Sequence, residues 1–512
     1  VVESREAIYT NLYDYLIDTV SRIKPGAGGV IFTPWLHGFT AAIKKALNIY
    51  IWRLRWLEMN FHSLVERQRN YYRQGNTRSP EFRISMLRKL QSAVRNHEVL
   101  FNEAMKKDMN KCPSEVYMTE TGMVLEELSF HIRHLPGWMR DKRVPTPIAQ
   151  FPAKSFISPE PYGVALIMSP WNYPIQLCLE PLIGAISAGC TAVVKPSAYA
   201  PATSHAIAQV LRAVYPEEYI AVVEGGREQN TALLEEKFDY IFFTGSPAVG
   251  RLVMESAARH LTPITLELGG KSPVIVDKTA NIKVAARRIA FGKVLNAGQT
   301  CVEPDYLFIH GDVKNEFIRG YKSALQEFFP DGTMTDMNTI INDKHFERLS
   351  GLLVSGKIVL GGKVDRERRF VEPALLDEVS LDSPIMQEEI FGPILPMIPY
   401  IDICECTDYI VKHPKPLALY LFTEDSSVEK HVLNKCSFGG GCINDTIIHI
   451  ATSNMGFGGV GNSGMGSYHG KKSFDTFTHY RSIVKKASWL DLPIRYRPYS
   501  KTKDKMLRFF LK

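Results

Sequence analysis

From Asn60 the chain settles into a regular alternation of apolar and polar positions. Apolar residues recur at helical spacing, with charged faces between them, over Glu66 to Gly75, Pro80 to His97 and Val99 to Asp108. A further helix is expected over Glu115 to Leu135, ended by Pro136-Gly137. Arg143 to Pro161 holds five prolines and reads as an extended excursion from the main body. The period then changes. Gly163 to Met168, Thr191 to Pro196, Ile220 to Val223 and Tyr240 to Phe243 are short continuous apolar runs, the signature of strands buried on both faces. Helical segments separate them, one beginning near Pro174 and another over Thr203 to Tyr215, and a further helix over Arg251 to Arg259 follows the last run. This β-α-β rhythm predicts an α/β fold with a doubly wound parallel sheet, whose ligands lie at the carboxyl ends of the strands. A second β-α set runs from about Pro273 to Ile443.

Residues 1 to 60 have a different texture: a turn, a short apolar strand and a Pro/Gly-rich loop over Ile23 to Gly38, then mixed apolar and basic residues. No run is long and apolar enough to span a bilayer, and no secretory signal is recognisable. Eight cysteines in 512 residues do not make a disulfide framework, so they read as reduced thiols of a cytoplasmic protein. Cys404-Glu405-Cys406 has no second pair or histidines at ligand spacing, and no metal is expected. The net charge of +7 is concentrated: Arg481 to Lys512 carries ten Lys/Arg against two Asp/Glu. The rest is near neutral, and nucleic acid is not an expected partner.

Candidate chemistry lies at the ends of the apolar runs. Glu267-Leu268-Gly269-Gly270-Lys271 precedes Gly298-Gln299-Thr300-Cys301, placing a carboxylate and a thiol each beside glycine. A cysteine that attacks a carbonyl leaves a thioester, and a carboxylate of raised pKa can activate water to hydrolyse it. Taken singly, Cys301 could be a buried small hydrophobe and Glu267 a turn residue. Pro170-Trp171-Asn172 follows the first strand, where an asparagine can donate to an oxyanion or simply close a turn. Lys195 ends the second strand, as a ribose contact or a solvated lysine. Thr244-Gly245-Ser246 with Gly250 opens a helix whose N-terminus could hold phosphate, or is an ordinary turn. Glu389 and Phe391 sit in a loop where a carboxylate could meet a ribose and a ring could flank a nicotinamide.

The order of Pro170-Trp171-Asn172, Val194-Lys195-Pro196-Ser197, Phe243-Thr244-Gly245-Ser246, Glu267-Leu268-Gly269-Gly270-Lys271, Gly298-Gln299-Thr300-Cys301 and Glu388-Glu389-Ile390-Phe391 resembles the aldehyde dehydrogenase superfamily over about residues 60 to 500. Cys301-Val302-Glu303-Pro304-Asp305-Tyr306, Ile443-Asn444-Asp445-Thr446 and the segment Gly461 to Gly470 point to its class 3, fatty aldehyde dehydrogenase branch. The resemblance implies Cys301 as nucleophile, Glu267 as general base and Asn172, with the Cys301 N–H, as oxyanion donor. It implies an NAD or NADP site formed by Pro170, Trp171, Lys195, Gly245, Ser246, Gly250, Glu389 and Phe391. It also implies a cofactor-binding unit over 60–142 and 162–267 and a catalytic unit over 268–480. Segments 143–161 and 481–498 become a bridging element, which suggests a homodimer. Residues 1–59 are left as an extension and 499–512 as a basic tail, read first as an arm whose apolar residues lie on a partner subunit and second as a contact to an anionic membrane surface. Residues 1–40, Ile23 to Gly38 among them, are also similar to a fragment of the FGGY sugar kinases of the xylulose-kinase type.

Three positions depart from the family pattern. Ala198 replaces a carboxylate expected to exclude a 2′-phosphate, Glu303 places a charge near the aldehyde channel, and Gly456 replaces a loop proline. A CoA-acylating dehydrogenase and a binding protein on a retired scaffold are the alternative readings.

Overall fold

The computed structural model describes residues 60–511, and the kinase-like stretch lies outside them. A six-stranded sheet runs in the order Gly464–Met465, Ile264–Leu268, Tyr240–Gly245, Val164–Met168, Thr191–Lys195, Ile220–Val222. All neighbours are parallel except Gly464–Met465, which returns from the far end of the chain to pair antiparallel with Ile264–Leu268. The topological switch falls between Val164–Met168 and Tyr240–Gly245, where the chain leaves its first strand towards one edge and later resumes on the other side. A crevice opens at such a point, outside the carboxyl ends of the strands.

The helix Gln176–Ala188 is buried at every position, which its small and apolar sequence allows. It packs against Pro80–Asn96, Gly122–Trp138 and Lys471–Thr476. Each fully buried Leu, Ile or Val in this layer contributes about 1.5–3 kcal/mol. The expected stop at Pro136 does not occur, because Gly122–Trp138 continues through it. The proline sits in the last turn, so its missing N–H and its ring disturb only the end of the helix. Trp138 then packs its ring on Phe130, His134 and Phe474, and Met139 N–H closes onto the Leu135 carbonyl at 3.1 Å. Packing outweighs the local signal.

A second sheet has the order Lys357–Leu360, Ala374–Asp377, Ile394–Tyr400, Tyr306–His310, Pro273–Val276, Ala418–Phe422, Gly440–Ile443, parallel except for its first pair. The proline-rich excursion is a ribbon: Ala153–Pro161 pairs antiparallel with Thr478–Lys486 over nine positions, and Lys142–Val144 adds a third strand. At the end of the described chain, Ser500 caps a helix over Lys501–Phe510 by accepting from Lys503 N–H. No helix among the described residues is long and apolar enough to cross a membrane.

Candidate active site

Four adjacent parallel strands deliver four of the sequence candidates to one edge. Asn172 follows Val164–Met168, Lys195 ends Thr191–Lys195, Gly245 ends Tyr240–Gly245 and Glu267 lies one residue from the end of Ile264–Leu268. The register pairs Met168 with Lys195 and with Phe243, and Thr244 with Glu267, so the strand ends lie level. Across the crevice stands the turn that carries Cys301.

That turn is held by side chains of its own. Helix Ile282–Val294 gives way to Asn296 and Ala297, both with left-handed backbone, and Gly298 at φ +69°. Gln299 holds its neighbours at 3.0–3.1 Å, donating from Nε2 to the Asn296 and Thr339 carbonyls and accepting Ile341 N–H. Asn296 Nδ2 donates to the carbonyls of Asn172 and Gln299, and Asn172 Nδ2 donates to Gln299 O at 3.1 Å. One Asn172 N–H is therefore committed to the turn beside Cys301. An amide nitrogen carries two, and the second is available to a substrate oxygen. Tyr173 and Thr300 hydroxyls meet at 2.6 Å.

Glu267 differs from all of these. It is 3% exposed, and neither carboxylate oxygen has a hydrogen-bond partner. Burial alone raises its pKa well above the usual carboxylate range. The thiol of Cys301 is raised as well, first by burial and then by the negative charges of Glu389 and Glu267, which places these three groups within electrostatic reach.

The cofactor candidates form the other half of the crevice. Ser246 caps helix Pro247–His260 by accepting Val249 N–H, with its hydroxyl at the exposed helix N-terminus. Gly250 is required by packing, since a Cβ there would approach Leu268 Cδ2 to 2.7 Å. Lys195 is buried, its Nζ donates to the Pro196 carbonyl at 2.7 Å, and burial lowers its pKa to about 8. Glu389 accepts Gly270 N–H at 3.1 Å; burial and then Asp305 push its pKa up to about 8. A Cβ on Gly269 would meet the same carboxylate at 2.2 Å, so a larger residue there would push Glu389 aside. Trp171 and Phe391 meet edge-to-face at 5.4 Å. A cavity of about 320 Å³ is lined by Pro247, Gly269, Gly270, Glu389 and Asn462. The Glu389 carboxylate, the glycines Gly269 and Gly270 and the first residue of helix Pro247–His260 thus border one open space.

The chain belongs to the aldehyde dehydrogenase family. The model of the Aldehyde dehydrogenase family matches residues 57–483. The chain is 48% identical over 446 residues to the 4,4'-diaponeurosporen-aldehyde dehydrogenase of Staphylococcus aureus, covering 86% of this chain and 97% of that one. To the mouse aldehyde dehydrogenase family 3 member B1 it is 42% identical over 445 residues, covering 86% and 95%. The solved substrate-bound state of Staphylococcus aureus AldH superposes with a TM-score of 0.86 at 46% identity, covering 88% of this chain and 99% of that chain. The protein is therefore an NAD(P)-dependent oxidoreductase that converts aldehydes to acids on the aldehyde dehydrogenase fold. The match starts at residue 57 and gives no support to a sugar-kinase fragment before it.

Several supporting residues escaped the sequence reading. Lys111 and Glu120 form a fully buried ion pair at 3.0 Å, and Glu120 lies on a single π-helical turn, Tyr117–Thr121. Glu120 accepts Ile175 and Gln176 N–H, and Lys111 Nζ lies 4.3 Å from the Tyr173 ring centre, so the pair seats the segment just after Asn172. The π-turn, a geometry that often marks functional positions, has no sequence signature to read. Glu303, expected near the aldehyde channel, is 1% exposed and paired with buried Lys293 at 2.9 Å. Burying Glu303 in its charged form needs a counter-charge, and Lys293 supplies it.

Proposed function

We propose that Cys301, Asn172 and Glu267 carry the oxidation, and the observation that supports this most directly is the buried, unpartnered carboxyl of Glu267. A buried polar group is expected to be bonded, and one kept free beside a thiol is suited to moving protons. In this reading Cys301 gives its proton to Glu267, and its sulfur adds to the aldehyde carbon. Asn172 Nδ2–H and the Cys301 N–H hold the oxyanion. The nicotinamide, when bound, supplies acceptance of the hydride. Glu267 releases that proton to solvent and, as a carboxylate again, takes one from water as the hydroxide adds to the thioester; the acid leaves as the Cys301 thiolate departs. A free carboxyl that can activate water favours hydrolysis over transfer to CoA.

Trp171 with Phe391 forms the nicotinamide-side wall, and Pro170 fixes the approach to it. Lys195 and Glu389 meet the ribose hydroxyls, while Ser246, Gly245 and Gly250 serve the pyrophosphate. Ala198 is exposed and offers no carboxylate against a 2′-phosphate. Glu224, near enough to Lys195 to act on its charge, is drawn to Arg212 at 2.9 Å. Both features support use of NADP as well as NAD. The class 3 likeness supports a medium- or long-chain aliphatic or aromatic aldehyde. The Ala153–Pro161/Thr478–Lys486 ribbon, with one long edge unpaired, supports a homodimer, and eight free cysteines suit a cytoplasmic setting.

The test is pre-steady-state kinetics on Glu267→Gln with short, long and aromatic aldehydes and each cofactor. A reduced-cofactor burst followed by turnover slowed about 10²–10⁴-fold is expected. Wild-type turnover across neutral pH would remove Glu267 from the role. A wild-type kcat/KM with NADP a thousandfold below that with NAD would remove the cofactor reading.

A further inference from the structure

The segment Glu389–Gly392 is gripped from both sides. Its outward carbonyls go to one arginine: Arg348 donates to Glu389 O at 3.2 Å and to Ile390 O at 2.6 Å. Its amides go to two carboxylates of the nucleophile segment, two residues apart. Ile390 N–H donates to Asp305 Oδ2 at 2.8 Å and Gly392 N–H to Glu303 Oε1 at 3.3 Å. Each carboxylate has its own lysine, Lys293 for Glu303 and Lys271 for Asp305. Between the two gripped amides, Phe391 is held at φ +51°, a left-handed conformation that residues with a side chain rarely adopt. The two turns also touch directly, since a Cβ on Gly298 would meet Gly392 C and O at 2.5 Å.

Strained backbone persists only where its surroundings over-determine it. Here the surroundings are side chains of the segment that carries the nucleophile. We infer that Glu303 and Asp305, each neutralised by a buried or half-buried lysine, form a clasp that makes the Cys301 turn and the Phe391 wall one mechanical unit. Glu303 is thus a positioning residue, and it transmits occupancy of the Phe391 side to the thiol. The inference rests on the dehydrogenase reading of Cys301 and of the Glu389–Phe391 loop. A charge near Cys301 that looks misplaced in sequence becomes the link between two halves of the site.

The experiment compares wild type with Glu303→Asp, which keeps the charge but shortens the reach, and with Lys293→Met/Glu303→Leu, which removes both charges together. The rate of Cys301 alkylation by iodoacetamide is measured with and without saturating NAD, alongside NAD affinity by protein fluorescence. In wild type NAD is expected to change the alkylation rate about fivefold or more, a typical coupling. In either variant that change should fall below about twofold while the NAD Kd moves less than about threefold. Aldehyde oxidation should lose about tenfold or more in kcat with little change in the aldehyde KM, as misplacement of a reacting group does. A folded variant that keeps the full NAD effect and kcat overturns the clasp. Wild type supplies an arm that needs no variant: carboxamidomethylation of Cys301 in the cofactor-free enzyme should alter amide hydrogen exchange over 388–393. Unchanged exchange there also overturns it. If wild type binds neither NAD nor NADP, or alkylated Cys301 leaves oxidation intact, the site reading itself fails, and that result is visible before any variant is made.

Discussion

The Asn296–Asp305 turn and Glu267 face each other across one crevice and are built on opposite principles. In the turn, the side chains of Asn296, Gln299, Glu303 and Asp305 are all engaged, and the Val302 carbonyl accepts the Tyr420 hydroxyl at 2.6 Å. Glu267 is as deeply buried and has no partner at either oxygen. Full satisfaction gives the turn one geometry, which is what a nucleophile needs. Isolation leaves Glu267 with a proton affinity set by burial and with lone pairs to spare, which is what a base needs. The site thus combines a rigid half with a half whose stability has been given up for reactivity.

The largest expected effect comes from breaking the rigid half. Gly298→Ala forces a Cβ into Gly392 at a positive φ, and aldehyde oxidation should fall more than about 10³-fold. A folded variant, checked by circular dichroism, with activity within tenfold of wild type would show that the turn tolerates displacement. Asn172 belongs to both halves, one N–H committed to Gln299 and one reserved. Asn172→Ala should cost about 10²–10³ in kcat, measured under saturating aldehyde and cofactor.

The comparison sharpens on stability. The folded-state pKa of Glu267 lies above its unfolded value, so the unfolded chain releases this proton first as pH rises. Its ionisation therefore destabilises the fold increasingly from about pH 4.3, the unfolded value, upward until the folded carboxyl ionises. Glu267→Gln removes that penalty. The variant should melt at a higher temperature than wild type at pH 8, by a margin that shrinks towards pH 4, even as turnover collapses. A lower melting temperature at pH 8 would mean that the carboxyl has a partner in solution.

These contrasts were only partly legible in the sequence. Asn172, Lys195 and Gly245 could be placed, because apolar runs end where strands end and a parallel sheet gathers those ends; Glu267 is legible only through its motif, since the strand Ile264–Leu268 that carries it is not a continuous apolar run. The partners of the rigid half could not. Lys293 and Glu303, or Lys111 and Glu120, are ordinary charged residues until the fold buries them together. The same holds for Pro136, whose local signal lost to the packing of Trp138. The polar group left without a partner is likewise a property of three dimensions.

The smallest expected effect lies far from the crevice. Helix Lys501–Phe510 exposes Phe509, Phe510 and Leu511 beside a basic set that includes Lys501, Lys503, Lys505 and Arg508. Deleting residues 499–512 should change kcat/KM for a short soluble aldehyde less than about twofold. Binding to anionic vesicles at low salt should fall with the deletion, because screened basic contacts supply it. Intact protein that stays in the supernatant at low salt would exclude that surface from membrane contact.

The return of Gly464–Met465 to the first sheet carries a consequence for biosynthesis. Gly464 is the register partner of Glu267, and Leu268 N–H donates to Ser463 O at 3.1 Å. During synthesis the strand bearing the base therefore emerges from the ribosome long before the strand that seals its outer edge. Domains fold as their chain appears, and pairings distant in sequence form late. A nascent or prematurely ended chain can hold the Cys301 turn and still lack the strand that seals Glu267. Under the mechanism proposed above, Glu267 is sealed for its step only after the chain has been made through Met465.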